Sequence, residues 1–232
     1  MKHTFAQYYH ELVYDKDVYN SYLDWVIQES KGKRVLECAC GPGHLTYLLG
    51  QNGFTVDALD IDSSMINYAK AHNKLDNINY FNQTMFDLSS FGLYDTIIIF
   101  SDSLNYCADL KELAMFFSEA SKHLNKGGIL LFDVHHPNRL DEFRQEYIEE
   151  GMMLDNYYQW SIQTIEDNKI HHNIVIYEDD QMFVNHVEQT VFYANEIELL
   201  LEALSFDFER ILEFNESEFA LDEKLYYRAR KG

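Results

Sequence analysis

The feature that most constrains the fold is a short apolar segment that contains a carboxylate and ends in a glycine turn. Glu37 lies in this segment, and Gly41 and Gly43 follow it just before a helical pattern begins. A second apolar run, residues 54–59, ends at Asp60. An apolar run, a glycine turn, a helix and a second apolar run are typical of a β–α–β unit in a doubly wound parallel sheet.

The residue types at this turn favour a ligand that contains a nucleoside. Glycine lets the backbone approach a ligand where a Cβ atom would clash, and a helix start presents N–H groups without intrahelical partners. An acid at the position of Asp60 accepts hydrogen bonds from ribose hydroxyls in such sheets. Thr46 replaces the third glycine of a dinucleotide turn, and the Glu37 carboxylate would repel a pyrophosphate. A ligand with an ammonium group is therefore favoured, with an NAD-dependent oxidoreductase as the alternative.

The segment resembles the first motif of the class I S-adenosylmethionine (SAM)-dependent methyltransferases, roughly (D/E)-x-(G/A)-x-G-x-G. Glu37, Ala39, Gly41 and Gly43 match this motif in register. Residues 60–69 are similar to the second motif, 94–100 to the fourth strand, and 124–133 to a helix end, tight turn and fifth strand. Residues 101–106 and 132–135 are similar to a subgroup of poorly characterised bacterial methyltransferases, and the resemblance extends over residues 5–230.

The resemblance implies an α/β fold, with a Rossmann-like seven-stranded sheet and helices on both of its faces. An N-terminal helical lid and a small antiparallel β insertion complete it. We expect one domain, residues 1–232, with the lid at 1–30, the core at 31–136 and 193–232, and the insertion at 137–192.

Hydrophobic periodicity locates the elements. Strands are expected near 34–38, 55–59, 78–82, 94–100 and 128–134, and helices near 44–51, 63–73, 109–124 and 195–204, with two further helices over 5–29. Ser63 is the expected N-cap of the second core helix. Three alternating runs between 157 and 192 predict an antiparallel meander, and residues 209–214 and 225–230 predict an antiparallel pair at the sheet edge.

The resemblance also assigns a cofactor, SAM, and its ligands. Glu37 is expected to hold the amino group of the methionine moiety, Asp60 the ribose hydroxyls, and Ile61 and Met85 the two faces of adenine. Thr84 stands where the family usually has an Asp that accepts a hydrogen bond from the adenine amino group, so its hydroxyl or the Met85 N–H is expected to serve instead. The full expected set is Glu37, Ala39, Gly41, Gly43, Asp60, Ile61, Met65, Thr84, Met85 and Ser101.

Candidate residues for the side of the site that binds the methyl acceptor are found where the strands end. Methyl transfer from a sulfonium mainly needs the acceptor atom held close to the methyl group, and a general base only if the acceptor arrives protonated. The catalytic candidates are His135, Tyr9, Asp102 and Asn105, with His135 the preferred base because imidazole titrates near neutrality. Each has a structural alternative, as a loop histidine or as a turn or capping residue.

The insertion supplies further candidates. His186 and Glu188 share one strand face by two-residue alternation, and Tyr157, Tyr158 and Trp160 are either an aromatic wall for a substrate or the packed face of the sheet. The pairs 135–136 and 171–172 are adjacent histidines that point to opposite strand faces. No metal site is therefore expected.

The amino-acid composition limits the classes of molecule that the protein can bind. The net charge of −21 disfavours nucleic acid, because a polyanion needs lysines and arginines to contact its phosphates. The basic cluster at 31–34 is expected to be a solvated strand entry. No run of 18 apolar residues exists, no signal-peptide core is present at the start, and Cys38, Cys40 and Cys107 form no metal or disulfide pattern. We therefore expect a cytoplasmic bacterial protein away from membranes, with reduced cysteines.

The expected function is SAM-dependent methylation of a small-molecule acceptor. A protein or RNA methyltransferase and a non-catalytic SAM-binding module are the alternatives, the latter because of Thr84. The sequence leaves open the acceptor, the methylated element and the oligomeric state, for which a homodimer is one option.

Overall fold

A central sheet carries the fold in the computed structural model, which describes residues 4–179, 181–211 and 222–232. The strands are Arg34–Cys38 (β1), Thr55–Asp60 (β2), Ile78–Asn82 (β3), Tyr94–Ile99 (β4), Leu124–His135 (β5), Tyr147–Met153 (β6), Asn156–Glu166 (β7), Lys169–Glu178 (β8), Gln181–Thr190 (β9), Phe206–Ile211 (β10) and Lys224–Lys231 (β11). The helices are Phe5–Val13 (α1), Lys16–Glu29 (α2), His44–Gln51 (α3), Ser63–His72 (α4), Leu110–His123 (α5), Asn138–Glu142 (α6) and Ala194–Ala203 (α7), with a short 3-10 helix at Ser103–Tyr106.

The central sheet has seven strands in the order β10-β11-β5-β4-β1-β2-β3. Pairing is parallel from β3 through β5, whereas β11 runs antiparallel to both β5 and β10. β1 and β4 lie side by side at the centre, where the strand order reverses. Ligands of open α/β sheets bind outside the carboxyl ends of the strands at such a reversal. The expected Rossmann-like seven-stranded fold is confirmed.

Helices cover both faces of this sheet because its strands are apolar on both sides. On one face, Trp25 of α2, Leu49 of α3 and Ile66 of α4 pack in one buried cluster. On the other face, Phe117 of α5 and Leu201 of α7 pack in a second. Alternate residues of the same strand enter the two clusters, so both faces of the sheet are fully used for packing.

The N-terminal segment forms two helices, as predicted. The side chain of Asp15 accepts hydrogen bonds from the Asp17 and Val18 N–H groups and caps α2. α2 packs into the core, whereas α1 packs on the inserted sheet: Tyr8 is buried, and its hydroxyl donates to Glu178 of β8 over 3.0 Å. α1 is therefore attached to the insertion across the carboxyl edge of the central sheet.

The insertion is a four-stranded antiparallel sheet, β6-β7-β8-β9, where three strands were predicted. β6 was missed because Glu149 and Glu150 obscure the alternation of apolar and polar residues. The Glu149 side chain lies instead on the packed face, where it accepts a hydrogen bond from the Tyr158 hydroxyl. On the same face, Trp160 packs against buried apolar side chains, whereas Tyr157 is exposed on the opposite face.

Three predicted boundaries need correction. The N-cap of α4 is Asp62, whose carboxylate accepts a hydrogen bond from the Ser64 N–H, and Ser63 is the first helical residue. β5 begins at Leu124 rather than near 128, and its pairing with β4 shifts register where Gly127 has a φ of +73°. β10 begins at Phe206, three residues before the predicted start, and positions 212–214 of that prediction lie outside the described residues. No helix in the described ranges is long and apolar enough to cross a membrane.

Asn105, a predicted catalytic residue, holds the insertion onto the core. Its side chain is fully buried, donates to the Thr190 carbonyl over 2.7 Å, and accepts from the His135 N–H over 3.0 Å. Both polar atoms of the amide are thus committed to backbone groups of β9 and β5. Asn105 therefore serves the architecture of the acceptor side rather than presenting a free group to a ligand.

We predict that Asn105→Ala lowers the free energy of unfolding by about 2–6 kcal/mol, because two buried backbone groups each lose a partner at about 1–3 kcal/mol. Urea unfolding followed by circular dichroism measures this. The matched control is Asn79→Ala, an exposed residue whose side chain donates to Asp57, for which about 0.5 kcal/mol or less is expected. Equal effects of the two substitutions would contradict the structural role of Asn105.

Candidate functional site

The turn between β1 and α3 is built on residues in the left-handed region. Ala39, Gly41 and Gly43 have φ values of +54°, +53° and +80°. Around a Cβ placed on Gly41, no heavy atom outside its chain neighbours lies within 4 Å, whereas one on Gly43 would lie 2.7 Å from the Tyr80 hydroxyl. Gly41 therefore leaves open space beside the backbone, and Gly43 is required for packing against β3.

Asp60 braces this turn from the end of β2. One carboxylate oxygen accepts from the Gly41 N–H and the other from the Asp62 N–H, both over 2.8 Å. Burial raises the pKa of Asp60 above its ordinary value, although these two backbone hydrogen bonds act in the opposite direction. Each oxygen of a carboxylate retains a further lone pair, so the Asp60 side chain can accept from ligand hydroxyls while it holds the turn.

Glu37 lies at the other end of the turn and is only 6% exposed. Burial raises its pKa to about 8, although a hydrogen bond from the Thr46 hydroxyl lowers it. The residue that breaks the dinucleotide fingerprint, Thr46, therefore has a role of its own, since it orients the Glu37 carboxyl. A cationic ligand group beside Glu37 would restore the carboxylate form.

A cavity of about 40 Å³ lies between the turn, α1 and α2. It is lined by Tyr9, Tyr19, Tyr22, Glu37, Ala39, Cys40, Gly41, Pro42, Leu45, Phe100, Ser101 and Ser103. A space of this size holds a few water molecules at most. The position of α1 thus closes the site, and Tyr9 is the α1 residue that reaches it, in agreement with the expected lid.

A histidine pair fastens α1 over the turn. His10 of α1 and His44, the first residue of α3, have ring nitrogens 2.9 Å apart. The rings of Tyr14 and Tyr19 pack against His44. Burial, with a smaller effect of His10, lowers the pKa of His44 to about 4, so His44 is a neutral imidazole in this contact near pH 7.

The expected adenine side lies open beyond Asp60. Ile61 is 76% exposed, whereas Met85 is half-buried and packs against the core. The Thr84 hydroxyl accepts from the Phe86 N–H over 3.3 Å, so it stabilises its own turn. Met65, an expected cofactor ligand, is buried in the first turn of α4 and does not line the cavity.

After β4 the backbone makes an unusual turn at the carboxyl edge. Ser101 and Asp102 both have positive φ values, +57° and +58°, which L-residues rarely adopt. The buried Asp133 carboxylate holds this turn by accepting from the Ser101 N–H over 3.2 Å and from the Asp102 N–H over 2.8 Å. Backbone strain of this kind collects at functional sites, and here it places Ser101 in the cavity wall.

His135, the preferred base, is buried within a polar network. Its Nε2 lies 2.9 Å from the amide oxygen of Gln189, and its Nδ1 lies 3.5 Å from Asp102 Oδ1. Within the described residues neither of these last two atoms has a hydrogen bond. His135 and Asp102 therefore form one pair on the acceptor side of the site, with Gln189 of the insertion supporting the histidine.

The remaining candidates lie away from the cavity. His186 and Glu188 do share a face, but that face is exposed and points away from His135, and Glu188 pairs there with Lys169 and His171. The residues that sequence reasoning missed are Thr46, Tyr22, Asp133, Gln189 and Lys224. Thr46 stands within the local glycine motif, although its contact with Glu37 was not predicted. The signal of the other four is their proximity in the fold, which no local motif reveals.

Comparison with known proteins is consistent with this geometry. A family profile described as a methyltransferase domain matches residues 35–128. A putative methyltransferase of Geobacillus sp. (strain WCH70) is 31% identical over 196 residues, which cover 80% of this chain and 79% of that protein.

Two solved structures share the fold. An S-adenosylmethionine-dependent methyltransferase from Clostridium acetobutylicum has a TM-score of 0.82 and 22% identity, and the match covers 98% of both chains. The sugar N-methyltransferase KedS8 from Streptoalloteichus sp. has a TM-score of 0.79 and 18% identity, with 99% of this chain and 94% of that chain covered. With a glycine turn set between Glu37 and Asp60 on this fold, the chain belongs to the class I SAM-dependent methyltransferases and is an enzyme of that family.

Proposed function

We propose that this enzyme transfers a methyl group from SAM to a small-molecule acceptor. The observation that carries the proposal is the placement of two acids, the buried Glu37 and the half-buried Asp60, at the two ends of one glycine turn. Glu37 suits the ammonium group of the methionine moiety, and Asp60 suits the ribose hydroxyls. Gly41 leaves its backbone accessible between them. Ile61, the residue after Asp60, has an exposed side chain and is proposed to cover one face of adenine, with Met85 on the other face.

When bound, SAM supplies a methyl group that its sulfonium has already activated. The work left to the protein is to orient the acceptor and exclude water. Tyr9 closes the cavity from α1, and Ser101 forms part of its wall. His135 and Asp102 are the proposed groups that accept a proton if the acceptor arrives protonated, since they lie together beyond this wall.

Enclosure favours a small acceptor over a macromolecule. α1 covers the site from one side, and β9 reaches the acceptor side through Gln189. An acceptor held between a lid and an inserted sheet must fit a limited space, and the charge of −21 repels polyanions. The sugar N-methyltransferase activity named for KedS8 supports a small polar acceptor.

The protonation state of Glu37 gives a test of the cofactor assignment. Because the pKa of Glu37 is about 8 without ligand and an ammonium group favours the carboxylate, binding near pH 7 should release about one proton per site. Affinity should then rise with pH up to about pH 8. Calorimetric titration with S-adenosylhomocysteine (SAH), in buffers of different ionisation enthalpy, measures the release.

Glu37→Gln should abolish this proton release and weaken binding about 10- to 100-fold, as expected for a lost charge-assisted hydrogen bond. Glu202→Gln, at an exposed position on α7, is the matched control and should leave both quantities unchanged. Tight SAH binding with no proton release by the unaltered protein would remove Glu37 from the ammonium site.

Transfer of labelled methyl groups tests the class of acceptor. The protein is incubated with methyl-tritiated SAM and a bacterial extract, and the products are separated by ultrafiltration. We expect label in a filtrate compound other than SAM, which depends on the protein and is lost in Asp60→Ala. Label in retained protein or RNA would contradict the small-molecule assignment, and the absence of product from any extract would indicate a non-catalytic SAM-binding module.

A further inference from the structure

Lys224 lies where four parts of the fold meet at the carboxyl edge. It begins β11 and stands opposite His135 of β5 in the antiparallel register. Its Nζ atom lies 3.0 Å from Asp102 Oδ2 and 3.2 Å from Asp133 Oδ2. The same ammonium group donates to the Tyr22 hydroxyl over 3.3 Å, so one side chain joins α2, the loop after β4, and β5.

The partners of Lys224 build the wall of the cofactor cavity. Asp133 holds the left-handed turn at Ser101 and Asp102 through two N–H groups, and it also accepts a hydrogen bond from the Tyr22 hydroxyl. Tyr22 and Ser101 both line the cavity. The Tyr22 ring is fixed as well, because it stacks on Phe100 with the ring centroids 4.4 Å apart. The position of this wall therefore depends on the hydrogen bonds that the Asp133 side chain accepts.

Lys224 is a cation whose charge favours the ionised form of both acids. Burial raises the pKa of Asp133, and Lys224 is the strongest influence in the opposite direction. Burial alone would also raise the pKa of Asp102, but His135 and Lys224 hold it below its ordinary value. The two carboxylates in turn hold the pKa of Lys224 well above its usual range, although burial lowers it.

We propose that Lys224 is a positioning residue for the bound cofactor, which it serves by fixing the Asp133–Ser101–Asp102 turn and Tyr22 against the cavity. This inference rests on the proposed function. Without the ammonium group, the buried Asp133 and the half-buried Asp102 lie side by side with no shared counter-ion, and removing one partner of a buried ion pair leaves an uncompensated charge. At low pH one acid can take up a proton and keep the turn in place, whereas at high pH both ionise and the turn is displaced.

Other titratable and charged groups around this cluster are Tyr22 of α2, His135 of β5, Arg139 of α6, and Glu223 and Tyr226, which lie within two residues of Lys224 in the chain. Electrostatic interactions also connect Asp102 or Lys224 with Tyr9 of α1, Tyr19 of α2, Tyr106 of the 3-10 helix and His172 of β8. The cation that contacts both Asp102 and Asp133 is Lys224.

The test is the ratio of SAH dissociation constants, Lys224→Met over unaltered protein, from pH 6 to pH 8.5. Taking the ratio at each pH removes the contribution of Glu37. We expect it to rise from about 3 at pH 6 to about 30 at pH 8.5, since each tenfold step corresponds to one pKa unit of interaction. Lys231→Met removes a lysine at the far end of β11, whose Nζ donates to the Leu124 carbonyl, and should give a ratio near 1 throughout.

A second variant restores the charge balance, and it keeps the test informative if the Lys224→Met protein folds poorly. In Lys224→Met/Asp133→Asn, the amide oxygen still accepts a backbone N–H while one buried charge of each sign is gone. Its SAH affinity should lie within about threefold of the unaltered protein and its ratio should not change with pH. A flat ratio near 1 for Lys224→Met, or a double variant no better than Lys224→Met, would overturn the positioning role. If the unaltered protein binds no SAH at any pH, the proposed function itself is wrong, and this inference falls with it.

Discussion

A carboxylate removed from water needs hydrogen bonds or a cation from the protein itself, and the carboxyl edge of this sheet is organised around that requirement. The Asp60 carboxylate accepts a hydrogen bond from the Gly41 N–H in the glycine turn, and the Glu37 carboxyl accepts one from the Thr46 hydroxyl. The Asp133 carboxylate accepts one from the Asp102 N–H in the turn after β4. The hydrogen bonds that each acid accepts fix the conformation of the loop beside it. The backbone of the site is therefore shaped by these acids, two of which, Glu37 and Asp60, are the proposed ligands of SAM.

Sequence reasoning succeeded where function depends on neighbours in the chain. The β1–α3 turn, Glu37 and Asp60 belong to one β–α–β unit, so their spacing alone predicts that they meet. It failed where contacts join distant segments. Lys224 lies 91 residues from Asp133, and its role depends on β11 entering the sheet next to β5. Asn105 has the residue type of a catalytic group, yet both polar atoms of its side chain form hydrogen bonds with backbone groups of β9 and β5.

The lid connects the two halves of the site. α1 is joined to the insertion by Tyr8, and to the start of α3 beside the glycine turn by the pair of His10 with His44. The cavity beneath it has space for only a few water molecules, so the proposed binding of SAM would need α1 to move away from the turn. Such a movement would shift Tyr9 and the contact with β8 together, which links access to the cofactor site with the sheet that borders the acceptor side.

The central claim is that the glycine turn between Glu37 and Asp60 binds SAM, and calorimetric titration with SAH tests it most directly. The account predicts one site per chain for the unaltered protein and no binding of NADH. Asp60→Ala should bind about 10- to 100-fold more weakly, since ribose loses charge-assisted hydrogen bonds, while the exposed control Asp76→Ala should match the unaltered protein. Asp60→Ala protein that binds SAH as tightly as the unaltered protein would contradict the account.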